Sequence, residues 1–147
     1  MQTLVARRRA AIDFFLKTDL DHNMLEAHRD FRTAVKALKA HLAAGGTVKA
    51  FEETEEPAYR HILKYLNIHE LVAVGIKNRV FDEDVCFNFW GDVLVQHANE
   101  TAAVIDYEIE CEGTPSAAFI ELRQLSSEWT DRTKKWRKRQ LKRTPRR

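Results

Sequence analysis

Apolar residues return along this chain at intervals of three and four, the period of an α-helix that buries one face. The first such segment covers about residues 3–17, with Val5, Ile12, Phe15 and Leu16 as its apolar face, and Thr18 to Asn23 reads as a connection. A second helix opens at Asn23, a capping residue type, and Glu26 three positions on completes a capping box. Met24, His28, Phe31, Val35, Leu38 and Leu42 then form a heptad-like stripe that reads equally as core or interface. Gly45-Gly46 ends it, because glycine enters the left-handed conformation cheaply. A third helix is predicted from Thr54-Glu55-Glu56-Pro57 to about Asn78, with acids at the positive end of its dipole and Pro in its first turn. From Ile62 to Ile76 it is apolar on nearly every side, which predicts a central position.

Asp82 to Asp84 starts a fourth helix lined by Val85, Cys86, Phe89, Trp90, Val93, Leu94 and His97. Asn99 or Thr101 breaks it before a shorter helix carrying Val104, Ile105, Tyr107 and Ile109, which ends at Gly113. Thr114-Pro115 pairs a cap with Pro at the first helical position. The last helix then carries Ala118, Leu122, Leu125, Trp129 and Trp136 and is closed by Pro145. The prediction is an all-α fold: a compact bundle of five to six helices with a basic C-terminal helical extension.

Composition supports a real core. The chain has 147 residues, 44% hydrophobic and 31% charged, with few Gly and Pro, a balance unlike that of disordered chains. Charge changes the picture more. The net charge of +2 hides a split. Residues 132–147 hold ten Lys or Arg and no acid, which leaves 14 bases against 22 acids in the other 131 residues. The organisation predicted is a bundle over 1–131 and a basic tail over 132–147. Arg7, Arg8 and Arg9 precede a short apolar run interrupted by Asp13, which does not make a secretory signal. No uncharged run approaches the ~18 residues of a membrane span, so a cytoplasmic location is expected and membrane attachment is not. Cys86 and Cys111 read as reduced core thiols.

The stretch from Ile62 to Asp84 holds Leu66-Asn67, then Glu70, then Val72-Ala73-Val74-Gly75-Ile76 and an acidic turn at Asp82 to Asp84. Ile120-Glu121-Leu122-Arg123 and Trp129 follow. With these residues the second half of the chain resembles an uncharacterised helical family of bacteria and their phages, domain of unknown function 4760. The resemblance implies a helical fold and a prophage or mobile-element origin, and it implies no activity. The family usually carries Gly where Val80 or Arg79 stands here, so a different turn is expected.

Candidate chemistry is sparse. Asn67 and Glu70 stand at i, i+3 on the most apolar helix, and a carboxylate there needs a partner. They read as a structural polar latch, with Glu70 bonded to Arg123, His61 or helix-terminal amides; the competing reading is a site centred on Glu70 and His69. The six histidines form no i, i+4 pair and no His-Glu-x-x-His. Asp19 to Asp30 imitates a calcium loop but has Met24 where the turn needs Gly and Asp30 where it needs Glu. Phosphate-binding glycine loops and nucleophile elbows are absent. No enzyme activity and no cofactor are therefore expected. The leading expectation is a non-enzymatic helical protein–protein interaction module, with another protein or a second copy as partner. The alternative is a nucleic-acid-binding protein acting through Lys134, Lys135, Trp136, Arg137, Lys138 and Arg139, whose cations suit phosphates and whose indole suits a base.

Overall fold

In a computed structural model that describes residues 3–111 and 118–143, every regular element is an α-helix. Seven helices are found among the described residues: α1 (Leu4–Leu20), α2 (His22–Ala43), α3 (Val48–Thr54), α4 (Glu56–Lys77), α5 (Glu83–Glu100), α6 (Ala102–Cys111) and α7 (Ile120–Arg143). This exceeds the five to six expected because α3, capped by Thr47, is only seven residues long, under two helical turns, and buries only Phe51. The stops expected at Gly113 and Pro145, and the cap at Thr114-Pro115, lie outside the described residues.

The connection expected between the first two helices shrinks to one residue, Asp21. Its side chain accepts from the Met24 N–H at 3.1 Å and caps α2, so Asn23 sits inside the first turn and the Asn23–Glu26 capping box does not form. The same continuity removes any calcium loop between Asp19 and Asp30. Gly45, at φ 85°, follows the end of α2 in the expected left-handed conformation.

α4 lies at the centre, packed against α2, α3, α5 and α7. Ile62, Leu66 and Val72 are fully buried there, against Phe31, Leu38, Leu94 and Leu122 of the same core. Its end is a Schellman motif: Arg79 N–H donates to the Ile76 carbonyl and Val80 N–H to that of Gly75. Arg79 holds φ 56° there, a left-handed conformation that glycine adopts at less cost. Gly75 itself has no room for a side chain, since a Cβ would stand 2.5 Å from the Phe81 ring. Asp82 then caps α5 through the Val85 N–H.

α1 departs most from expectation. Ala11, Phe15 and Thr18 face the core, whereas Val5, Ile12 and Leu16 face solvent. Phe15 sits in an aromatic group with Phe14, Phe89 and Trp90. α1 packs mainly on α2 and α5, so its Val5, Ile12 and Leu16 side is left uncovered. The two cysteines also separate: Cys86 is buried and Cys111 is exposed, both as free thiols.

α7 crosses residue 131 without interruption. Trp129 is fully buried, donates from Nε1 to Glu83 at 3.1 Å, and meets Phe87 edge to face. Arg132 lies over the Phe87 ring and pairs with Asp84 at 2.7 Å, and Thr133 is buried. Beyond Thr133 the residues through Lys142 are exposed.

Candidate functional site

Histidines on three helices meet at the centre of the bundle. His69 on α4 and His97 on α5 are both buried, and their Nε2 and Nδ1 atoms are 2.9 Å apart. His28 on α2 tilts against His97 from the exposed side, with ring centroids 5.8 Å apart. Phe31, Tyr65 and Trp90 enclose the pair.

Satisfiability fixes the tautomer. Among the described residues His69 Nδ1 is buried with no hydrogen-bond partner. If His97 donated, His69 would carry its proton on that orphaned atom, a buried donor left unmade at a cost of about 1–3 kcal/mol. With the proton on Nε2, His69 donates to His97 and only a lone pair goes unused. Burial pushes the His69 pKa down to about 3, and the positive charges that His97 and His28 would carry add to this. Burial also lowers His97 to about 4, with His28 and Arg32 contributing and Glu100 opposing. Both imidazoles are therefore neutral near pH 7. Their spacing in sequence concealed the pair, although His97 continues the stripe of Cys86, Trp90 and Leu94 and His69 that of Ile62, Leu66 and Val72. Two inward stripes, each containing a histidine, were the available signal.

Glu70 points from α4 to the start of α7. Its two carboxylate oxygens accept from the backbone N–H groups of Glu121, at 3.2 Å, and Leu122, at 2.7 Å. It caps a helix with which it shares no sequence neighbourhood, and its negative charge suits the positive end of the α7 dipole. Lys77 pairs with Glu121 beside it. Asn67 does not join Glu70 in a latch. It is exposed, because the step of three residues carries it to the outer edge of α4.

Lys134, Lys135, Trp136, Arg137, Lys138 and Arg139 all lie on the exposed part of α7. Arg137 reaches Asp92 on α5 at 3.5 Å. Together with the Arg132–Asp84 pair, this draws the base of the tail to α5, not to the acidic run at Glu52–Glu56. A cleft of about 380 Å³ between α5 and α7 is lined by Phe87, Phe89, Val93, Thr133 and Trp136.

The outward face of α1 is the second surface feature. Val5 is 75% exposed, Leu16 49% and Leu20 79%, with Ile12 between them. Phe89 stacks on Phe15 at 5.1 Å and continues the apolar surface onto α5. Among the described residues no three His, Cys, Asp or Glu side chains converge on a metal position, and no helix is long and apolar enough to cross a membrane.

Comparison with known families assigns residues 1–129 to the domain of unknown function DUF4760, and the chain belongs to that family. No curated protein and no solved structure matches the chain.

Proposed function

We propose that this member of the family is a non-enzymatic helical protein–protein interaction module that docks through the outer face of α1. The observation that carries this is the uncovered stripe of Val5, Ile12, Leu16 and Leu20, extended by Phe89. A helix exposed on one side normally turns a polar face to water. Covering a Val, Leu or Ile side chain fully is worth about 1.5–3 kcal/mol, so four in a row are a sizeable driving force for association. The same reading places the protein in the cytoplasm, in a prophage or mobile-element setting, and requires no cofactor.

A photo-reactive benzoylphenylalanine in place of Ile12, activated in living cells, tests it. A discrete cross-linked protein band is expected, absent when the same probe replaces the exposed Asn67. No band at position 12 overturns the reading.

Nucleic-acid binding through the end of α7 is the second reading. It is favoured by the helical continuation of Lys134, Lys135, Trp136, Arg137, Lys138 and Arg139 beyond the bundle, which sets cations and an exposed indole along one rod. It predicts DNA or RNA binding that falls steeply with salt and is lost in a chain ending at Thr133. Binding that persists in that shorter chain refutes it.

A further inference from the structure

We infer that the outer face of α1 is built to meet the same face of a second copy of this chain, antiparallel about a two-fold axis. This rests on the interaction reading above and names its partner.

The face carries its charges in order. At 100° per residue, Val5, Ile12, Leu16 and Leu20 fall on one side of α1, with Arg8 and Arg9 towards its start, Asp13 at its middle and Asp19 towards its end. Arg9 and Asp19 are exposed. A helix with a basic start and an acidic end complements itself only when reversed. Crossing near residue 14 sets Ile12 of each copy against Leu16 of the other and Arg9 against Asp19, twice over by symmetry. Such an interface is isologous and closes at two copies. A parallel arrangement would set Arg8 and Arg9 against the same residues of the partner. Among the described residues Arg9 pairs with Asp13 on its own helix, at 4.0 Å in the open, a contact weak enough to exchange. Arg8 leans to Asp82 at 3.9 Å and stays at the α5 edge. Exposed ion pairs contribute little affinity, so the apolar stripe supplies the attraction and the charges choose the direction.

Sedimentation of the full chain across a wide concentration range tests this. A concentration-dependent species of twice 17.1 kDa is expected. Ile12→Glu is expected to leave only monomer with unchanged helical circular dichroism, since the side chain lies on the exposed side of α1. Arg9→Asp is expected to weaken the dimer several-fold, and Arg9→Asp combined with Asp19→Arg to restore it. A monomer at every concentration overturns the inference. If the probe at position 12 then cross-links a protein of different mass, the interaction reading survives with another partner. A monomer that co-floats with anionic vesicles overturns it in favour of a membrane surface. A dimer indifferent to Ile12→Glu, or one that the double charge reversal does not restore, overturns the face or its antiparallel register.

Discussion

The core side of α4 and the outer side of α1 both carry apolar residues at helical spacing, and their fates are opposite. Ile62, Leu66 and Val72 on α4 are sealed by helices on several sides, while Val5, Ile12 and Leu16 on α1 face water. An apolar stripe says that something must cover it, and only the count of neighbouring helices says whether the cover is internal. α4 packs against helices on several sides, whereas α1 packs mainly on α2 and α5.

The tryptophans give the sharpest test of that contrast. Trp129→Ala removes a fully buried indole and its bond to Glu83, and is expected to cost about 3–5 kcal/mol in denaturant unfolding. Trp136→Ala, seven residues further along the same helix and half exposed, is expected to change stability by no more than about 0.5 kcal/mol. Equal costs would mean that α7 is packed along its whole length.

Acid titration extends the comparison to the polar centre. His69 and His97 have folded pKa values of about 3 and about 4, below the ordinary 6.5. The folded state then binds fewer protons than the unfolded one, so their stabilisation is complete above pH 6.5 and is lost as pH falls towards 4. Each depressed imidazole contributes a slope of up to about 1.4 kcal/mol per pH unit in that window. The unfolding midpoint of the parent should drop between pH 6.5 and 5, and His69→Gln should lose roughly half of that slope. A flat profile would place the histidines in contact with water.

Smaller effects sit at the helix ends. Glu70→Ala is expected to cost about 1–2 kcal/mol through two lost capping bonds, while Asn67→Ala should be silent in the same melt. Arg79→Gly should raise stability by up to about 1 kcal/mol, because glycine adopts φ 56° without a Cβ penalty. No rise in Tm would mean that the Arg79 side chain offsets its backbone strain.

The all-helical class, the central place of α4 and the Asp82 cap were legible because each is written locally, as a period or a capping residue. The break at Thr101 was legible too, and there Thr101 donates its hydroxyl to the His97 carbonyl. What escaped depends on pairs distant in sequence. The His69–His97 contact spans 28 residues and the Glu70 cap about 50, and no local spacing encodes either. The orientation of α1 escaped for a subtler reason. Ala11 and Thr18 are weak apolar signals, yet with Phe15 they form the buried side. Asn67 was misplaced because α4 was taken as buried all round, whereas Leu71 and Asn67 both reach solvent.

The cap that Glu70 provides for α7 bears on how the protein is made. α7 closes against α4 and α5, yet it leaves the ribosome after every helix it covers. Until Glu121 and Leu122 emerge, the nascent bundle has an open seam along α4 and α5, with the Glu70 carboxylate waiting for amides that have not yet been synthesised. Docking of α7 thus follows the synthesis of α4 and α5, and a chain stalled before Ile120 would leave that seam uncovered.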